Sequence, residues 1–320
     1  MREQVAIIGA GVSGLTCGVV FAEQGYRTTI IARETGRATT SSVAAAIWFP
    51  YDAEPAAQVV AWSLATFDVL RELARDRTTG VAMTELRCFA RAGELPIPEW
   101  AHSLGAEPLP ATQIPARIFT SGFAVEVPVI DTTIYLDYLT RRFAAAGGEL
   151  QRGLSLPQLG DVPAGHELIV NCSGAGAREL VHDAEVEPHR GQVAIVPKLP
   201  LPCAVVCDDP PLMYAIPRTN DCVLGGTNEI SDDCAVDPQQ TAQILAESCR
   251  VLQIDPPLLL DERVGLRPYR RSGIRLEREQ LPDGRTVLHN YGHGGSGFTL
   301  AWGCAGAVLR LHEDQTPNGR

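Results

Sequence analysis

The chain has 320 residues, of which 45% are hydrophobic and 20% are charged. This balance supports a buried core and excludes a disordered, collagen-like or coiled-coil chain. The net charge of −11 argues against general nucleic-acid binding, because nothing on such a surface would offset the repulsion from phosphates. The length predicts about two domains.

Nine cysteines are present, an odd number at irregular spacing and without a C-x-x-C pair. We therefore expect free thiols, no disulfide framework, no metal site and a cytoplasmic location. The charge-free stretch Val5–Ala22 is long enough to suggest a membrane span, but it carries four glycines whose spacing a different motif explains better. We expect no membrane segment.

The predicted elements begin as a strand–helix–strand unit, with a strand at 5–8, an apolar helix at 12–24 and a strand at 27–32. A helix at 58–75 follows, and then short alternating segments broken by prolines from 84 to 127, which are typical of antiparallel sheet. The remaining predicted elements are a helix at 132–146, strands at 167–172, 190–196, 212–216 and 221–225, a helix at 239–252, strands at 263–276 and 286–289, and a helix at 298–312. The fold class is therefore α/β, with two domains that each use more than one stretch of chain.

A glycine motif of the form G-x-G-x-x-G joins the first strand to the first helix. It reads Gly9-Ala10-Gly11-Val12-Ser13-Gly14. Gly9 permits the tight turn, Gly11 lets a pyrophosphate approach the backbone, and Gly14 lets helix and strand pack closely. The positive end of the helix favours phosphate charge, so this motif predicts a dinucleotide site rather than a plain turn.

The end of the second strand supplies candidates for the adenosine side of that dinucleotide. Glu34 is the candidate for the ribose hydroxyls, and Arg33 is a candidate for further contacts there. An arginine at this position could instead indicate a preference for NADP.

A second glycine-rich segment lies just before the last predicted helix. Four of the six residues 292–297 are glycine, more than a turn requires. Close approach of the backbone to a flat ligand such as a flavin is one explanation, and a flexible turn is the other. The N-terminus of the following helix would favour negative charge on a reduced flavin.

The chain resembles the D-amino-acid oxidase family of FAD enzymes over essentially its whole length. Five segments carry this resemblance: the N-terminal glycine motif and residues 43–51, 190–192, 273–279 and 289–297. The resemblance implies a Rossmann-type FAD-binding domain and a substrate domain built on a mixed, largely antiparallel sheet. It places the FAD-binding domain at 1–52, 130–185 and 280–320, and the substrate domain at 53–129 and 186–279.

The resemblance also implies an activity. A D-amino acid would be oxidised to an imino acid, which hydrolyses to a 2-oxo acid and ammonia, while dioxygen is reduced to hydrogen peroxide. No base is needed if the α-hydrogen leaves as a hydride toward flavin N5, so orientation of the substrate would carry catalysis. The implied partners are a small-molecule D-amino acid and dioxygen, with neither nucleic acid nor membrane, and the chain could form a homodimer.

Four positions are the candidates for substrate contacts. Arg275 matches the arginine that binds the substrate carboxylate, a role that suits the two parallel donors of a guanidinium. Tyr214 matches a tyrosine that supports the same carboxylate, the carbonyl of Gly295 matches an acceptor for the amine, and Tyr51 could line the pocket. Pro210 stands where some relatives have a lid tyrosine, so we expect a short or absent lid.

The same resemblance assigns cofactor contacts outside the first glycine motif. Ser296 stands where some relatives have tyrosine, and His289 and His293 are expected to be structural or cofactor-loop residues. The predicted cofactor contacts are Thr39, Thr40, Ser41, Ala45, Ala46, Ile47, Gly294, Gly295, Ser296, Gly297, Phe298 and Thr299.

Three alternatives remain open from the sequence. A D-aspartate oxidase would need a second cation for the side-chain carboxylate. A non-catalytic dinucleotide-binding redox protein would explain the first glycine motif alone, and an NADPH-dependent reductase rests on Arg33. The candidates for the second cation are Arg218, Arg267, Arg270 and Arg271.

Overall fold

The computed structural model describes residues 3–50 and 53–314, which contain fifteen strands and eight α-helices. The strands are β1 (Gln4–Ile8), β2 (Arg27–Ala32), β3 (Val81–Ala90), β4 (Glu107–Pro108), β5 (Ser121–Ile130), β6 (Glu149–Arg152), β7 (Leu168–Asn171), β8 (Val186–Pro197), β9 (Ala204–Cys207), β10 (Met213–Pro217), β11 (Asp221–Gly225), β12 (Glu229–Ile230), β13 (Asp261–Arg270), β14 (Arg275–Gln280) and β15 (Thr286–Tyr291). The helices are α1 (Val12–Glu23), α2 (Thr40–Val43), α3 (Ala56–Leu73), α4 (Glu99–Ser103), α5 (Thr132–Ala145), α6 (Ala177–Leu180), α7 (Pro238–Leu252) and α8 (Gly297–Glu313).

The first sheet has six strands in the order β14-β15-β7-β1-β2-β6. All neighbours are parallel except β14, which runs antiparallel to β15. The central strands β1 and β7 are apolar and buried because parallel sheets are covered on both faces. The predicted strand–helix–strand start of the chain is confirmed, and the carboxyl ends of β1, β2 and β7 meet at one edge.

Glycines allow the helices to pack closely against this sheet and against each other. A Cβ at Gly18 in α1 would lie 2.7 Å from Ile30 Cδ1 on β2. A Cβ at Gly303 in α8 would lie 2.1 Å from the Trp62 carbonyl oxygen of α3. Both contacts require a residue without a side chain, so the C-terminal helix is held close to the α3 backbone.

The second sheet has nine strands. Eight follow the order β12-β8-β11-β10-β9-β3-β5-β4, and β13 also pairs with β8. All neighbours are antiparallel except β3 and β9, so the predicted α/β fold with a second, mixed and largely antiparallel sheet is confirmed.

One predicted strand is wrong in a way that matters for the site. The stretch 263–276 is not continuous: β13 ends at Arg270 and β14 begins at Arg275. Gly273 turns the chain with φ of +88°, and a Cβ there would lie 2.5 Å from the Glu54 carbonyl oxygen. Because β13 belongs to the second sheet and β14 to the first, the turn transfers the chain from one sheet to the other.

The predicted domain boundaries stay a prediction. The strand Arg275–Gln280, most of which those boundaries assign to the substrate domain, is hydrogen bonded to β15 in the six-stranded sheet. Of the helices in residues 3–50 and 53–314, none is both long and apolar enough to cross a membrane.

Candidate active site

A cavity of about 590 Å³ lies between the two sheets. Its lining includes Ile8 and Ile31 from the first sheet, and Val193, Val206 and Tyr214 from the second. The volume is in the range of pockets that hold small ligands. The cavity runs along the carboxyl edge of β1, β2 and β7, which is where open α/β sheets bind their ligands.

The first glycine motif forms one part of this lining. Gly9 has φ of +106°, and a Cβ there would lie 2.5 Å from the Cys172 carbonyl oxygen. A Cβ at Gly11 would lie 3.0 Å from Ser41 Oγ, and one at Gly14 would lie 1.9 Å from the Gly9 carbonyl oxygen. Gly14 therefore packs beneath the turn and is outside the lining, whereas residues 9–13 line the cavity.

The serine and threonine candidates lie against that motif. The Val12 amide donates to Ser41 Oγ at 2.9 Å, so Ser41 fixes the loop against the start of α1. The Thr39 hydroxyl donates to the Gly36 carbonyl at 2.8 Å, and Thr40 also lines the cavity. Ser41 thus lies at the helix N-terminus where phosphate charge is favoured, and Thr39 and Thr40 line the same cavity.

Arg33 and Glu34 line the cavity just past the end of β2. Their side chains form an ion pair at 3.2 Å and are 71% and 48% exposed. Both are therefore accessible to a ligand in the cavity, and their role on the adenosine side of a dinucleotide stays a prediction.

Two further segments that line this end have no counterpart in the predicted site. They are residues 154–157, after β6, and residues 173–176, after β7. The signal for the second was present, because the sequence Ser173-Gly174-Ala175-Gly176 follows a buried strand. Loops at the carboxyl ends of neighbouring parallel strands converge on one ligand.

The predicted segment Ala45–Ile47 also lines the cavity. Ala46 has φ of +55°, a conformation that residues with a side chain adopt infrequently. Backbone hydrogen bonds hold it: the Ile130 amide donates to the Ala46 carbonyl and the Trp48 amide to the Pro128 carbonyl, both at 2.8 Å. The second sheet therefore fixes this segment against the cavity.

The C-terminal glycine segment joins the two sheets. The Gly294 amide donates to the Pro268 carbonyl of β13 at 2.9 Å. The lining includes Gly294, Gly295, Gly297, Phe298 and Thr299, but not Ser296, which is fully buried. The structure therefore brings every described candidate of this segment except Ser296 to the cavity.

Thr299 is the last of these candidates. Its hydroxyl donates to the Phe49 carbonyl at 3.0 Å and accepts from the Phe49 amide at 3.1 Å. The hydroxyl thus holds the 45–50 segment against the start of α8, and Thr299 also lines the cavity.

Two histidines lie near this segment and are buried. Burial lowers the pKa of His293 to about 4, and its Nε2 lies 3.1 Å from Asn290 Oδ1. Burial also lowers the pKa of His289, whose Nε2 lies 3.0 Å from a Glu279 oxygen. His293 is therefore neutral at physiological pH, and both rings are engaged with protein partners.

Tyr214 and Arg267 meet at the substrate-sheet side of the cavity. The Tyr214 ring lies on the backbone of Gly225 and Gly226, where added Cβ atoms would be 2.0 Å and 2.6 Å from the ring and hydroxyl. Burial raises the pKa of Tyr214, while the positive charge of Arg267 and a hydrogen bond with it oppose the rise. The phenol is therefore protonated and can donate to an anion.

The Arg267 guanidinium is held from one side. Nη1 donates to the Thr227 carbonyl at 3.0 Å and to Asn228 Oδ1 at 3.3 Å. The group lies flat on Gly191, where a Cβ would be 2.3 Å from Nη2. This anchoring leaves the rest of the fork beside Tyr214, facing the cavity.

Arg275 does not reach the cavity, which corrects the predicted carboxylate site. Its Nε bonds Glu277 at 2.6 Å, Nη2 bonds Glu279 at 2.9 Å, and Nη1 donates to the Tyr291 hydroxyl at 2.9 Å. All three nitrogens are thus engaged within the first sheet. The physical reason is the turn at 271–274, which carries Arg275 away from the sheet that holds Tyr214.

The other arginines proposed as a second cation are also engaged. Arg218 is buried and bonds Asp221 at 2.7 Å. Arg270 bonds Asp183 and Arg271 bonds Glu187, each at 2.8 Å. Among the residues the structure describes, Arg267 and Arg33 are the basic side chains that line the cavity.

Two further predictions concern the cavity entrance. Tyr51 lies outside the described residues. Pro210 does not line the cavity, and β9 and β10 are joined by the short segment 208–212, whose end residues Asp208 and Leu212 do line it. Among the described residues, no group of three or more His, Cys, Asp or Glu side chains could hold a metal ion.

The cavity lining combines a dinucleotide-binding glycine motif with a second glycine-rich segment. This combination indicates the class of protein. Residues 4–311 match the family model described as DAO: FAD dependent oxidoreductase, and the chain belongs to this family. The glycine cradle and the hydroxyl residues at the α1 N-terminus fit FAD, so the predicted cofactor is confirmed.

Individual relatives narrow the comparison. The chain is 39% identical to a D-amino-acid oxidase of Rubrobacter xylanophilus, over 96% of this chain and 95% of the relative. It is also 39% identical to a D-amino-acid oxidase of Streptomyces coelicolor, over 96% of each chain, and 32% identical to a human D-aspartate oxidase, over 96% of this chain and 94% of that one. The fold matches a glycine oxidase structure from Geobacillus kaustophilus with a TM-score of 0.79 at 20% identity, over 100% of this chain and 97% of that one.

Proposed function

We propose that the chain is an FAD-dependent oxidase that deaminates D-amino acids. The observation that carries this proposal is the pairing of Arg267 with Tyr214 in the cavity. It is supported by two relatives, each 39% identical to this chain, that are D-amino-acid oxidases. An arginine fork and a protonated phenol together bind one carboxylate and fix its plane. The preference for the D enantiomer rests on the relatives alone.

The protein's own groups bind and orient the substrate. Arg267 and Tyr214 hold the carboxylate, and the Gly295 carbonyl is an acceptor for the amine. When bound, FAD would supply the acceptor for the hydride from Cα, with dioxygen as the final two-electron acceptor and hydrogen peroxide as the product. The imino acid then hydrolyses in water to a 2-oxo acid and ammonia. No side chain is required as a base, in agreement with the engagement of both nearby histidines.

The alternatives have less support. A D-aspartate oxidase needs a second cation. Of the four arginines suggested for it, Arg267 is assigned here to the α-carboxylate, and Arg218, Arg270 and Arg271 are each held in an ion pair. Arg33, the basis for an NADPH-dependent reductase, is paired with Glu34. The homodimer and the cytoplasmic location stay predictions.

Peroxide release from a panel of D- and L-amino acids tests the proposal. We expect the holoenzyme to oxidise D-alanine or D-valine and to leave the L enantiomers unchanged. Anaerobic bleaching of the flavin spectrum by the same substrates is the second readout. A flavin-loaded protein that neither bleaches nor releases peroxide with any D-amino acid would instead support a non-catalytic redox role.

A further inference from the structure

We infer that Asp208 is a specificity residue that recognises a positive charge on the substrate side chain, so that the enzyme favours D-amino acids with cationic side chains such as D-lysine and D-arginine. This inference rests on the proposed function and names the substrate class that the same cavity would select.

The position of Asp208 follows from strand alternation. Val206 on β9 pairs with Tyr214 on β10, and both line the cavity. Asp208 lies two residues beyond Val206 and shares its face, while Cys207 between them is buried on the opposite face. At the usual rise of ~3.3 Å per residue, Asp208 lies roughly 7 Å along the strand from Val206.

The sheet order places Asp208 and Arg267 on opposite sides of Tyr214. The order β8-β11-β10-β9 has β13, which carries Arg267, on the β8 side, whereas Asp208 follows β9. A substrate whose carboxylate is bound at Arg267 can therefore extend past Tyr214 toward Asp208. The same cavity lining includes Val206, which pairs with Tyr214, and Leu212, and both suit the aliphatic stem of a long cationic side chain.

The Asp208 carboxylate has no protein partner in the described chain, neither a hydrogen bond nor an ion pair. Its neighbour Asp209 is the contrasting case, since the Arg91 amide donates to its Oδ2 at 2.7 Å. The Arg91 guanidinium also donates to the Asp209 carbonyl at 3.3 Å and the Pro211 carbonyl at 2.7 Å. Arg91 thus fixes the segment that presents Asp208 while leaving the Asp208 carboxylate to the cavity.

The electrostatic surroundings of Asp208 favour a cationic partner. Asp208 is exposed at the cavity lining, yet the protein that surrounds its carboxyl raises the pKa to about 6 by desolvation, and the negative charge of Asp209 adds to the rise. The other titratable groups in electrostatic contact with it are the Cys88 thiol on β3 and the Cys207 thiol on β9, both of which burial holds in the neutral form. A carboxylate without a protein cation gains from pairing with one supplied by a ligand.

Two ligands that share a carboxylate and a six-carbon chain test this inference by binding. Hexanoate and 6-aminohexanoate differ in the terminal ammonium group, and neither carries an α-amine that could be oxidised. Calorimetric titration of the holoenzyme should give about tenfold tighter binding of 6-aminohexanoate, the expected gain from a charge-assisted hydrogen bond. In Asp208→Asn that preference should disappear, with hexanoate binding little changed.

Turnover gives the second measurement. We expect Asp208→Asn to lower kcat/KM for D-lysine about tenfold relative to D-valine, and Asp208→Glu to restore part of the preference. Asp209→Asn is the matched control, because it removes the same charge one residue away and still offers an oxygen to the Arg91 amide. It should leave the ratio unchanged.

The outcomes separate the inference from the proposed function. Equal binding of the two acids, or an unchanged D-lysine to D-valine ratio in Asp208→Asn, overturns the role of Asp208 even if D-valine is oxidised normally. A protein that oxidises no D-amino acid overturns the proposed function, while the binding preference for 6-aminohexanoate still decides whether Asp208 selects a cation.

Discussion

Two arginines eight positions apart in the sequence have opposite surroundings in the folded chain. Arg267 is anchored through Nη1 to oxygen acceptors and faces the cavity, whereas all three nitrogens of Arg275 are engaged by Glu277, Glu279 and Tyr291. The same contrast holds for Asp208, which faces the cavity, and Asp209, which is bonded by Arg91. A charged group is available to a ligand only where the fold leaves it incompletely paired, so charge pairing separates binding residues from structural ones.

The largest expected effect comes from removing the cavity arginine. Arg267→Leu should lower kcat/KM for D-valine about 10²–10³-fold, because it removes the charge and the paired donors for the substrate carboxylate. Steady-state peroxide release would measure this loss, and an unchanged flavin spectrum would show that the cavity still forms. Arg267→Lys should restore part of the activity, because it keeps the charge but not the fork.

A smaller effect should follow from displacing the same guanidinium without removing it. Gly191→Ala introduces a Cβ 2.3 Å from Arg267 Nη2 and 2.5 Å from Cζ, and the flexible arginine will move aside. We expect KM to rise about tenfold while the melting temperature changes little, since no backbone atom is in conflict. A KM equal to that of the native chain would mean that the position of Arg267 does not control carboxylate binding.

Much of the fold follows from local patterns, and the strands at 27–32 and 221–225 have the predicted bounds. The glycine motif likewise identifies the cofactor side, because its residues act through their own backbone. The substrate side depends on contacts between distant segments. The end of β13 depends on the fit of Gly273 against Glu54, and the environment of Arg267 on Gly191 and Thr227. None of these pairings is visible in the alternation of residues 263–276, and the prediction of Arg275 rests on the family resemblance.

Replacing Arg275 should lower stability and leave substrate binding unchanged, which is the reverse of the effect expected at Arg267. Arg275→Leu breaks its hydrogen bonds with Glu277, Glu279 and Tyr291, so we expect a loss of about 1 kcal/mol in the free energy of unfolding. In a chain of this length, that corresponds to a fall of about 2 °C in melting temperature.

The KM for D-valine separates this change from a role in binding. It should remain within about twofold of the native value, because Arg275 does not line the cavity. A KM increase as large as that of Arg267→Leu would instead restore Arg275 as the carboxylate ligand.

The smallest expected effect is the pH dependence of stability at Asp208, because the residue is exposed and solvent screens its charge. Its pKa rises from the ordinary value of 3.8 to about 6 in the folded chain, so the folded state holds the proton more tightly than the unfolded state. The stability associated with that proton is present below pH 3.8 and is lost as the pH rises toward 6. Asn has no ionisation. The melting temperature of Asp208→Asn should therefore rise relative to that of the native chain between pH 3.8 and about 6, and the difference should stay constant at higher pH.

Asp209→Asn should give a smaller gain than Asp208→Asn, because it relieves the repulsion with Asp208 but replaces the carboxylate that accepts from the Arg91 amide with a weaker amide acceptor. Thermal unfolding of the three proteins across the same pH range would compare the two carboxylates directly. If the native chain and Asp208→Asn have the same melting temperature above pH 6, other groups in the protein offset the charge of Asp208. If Asp208→Asn has the higher melting temperature, the charged carboxylate of Asp208 lowers the stability of the native chain. A cationic ligand bound in the cavity would then reverse this loss.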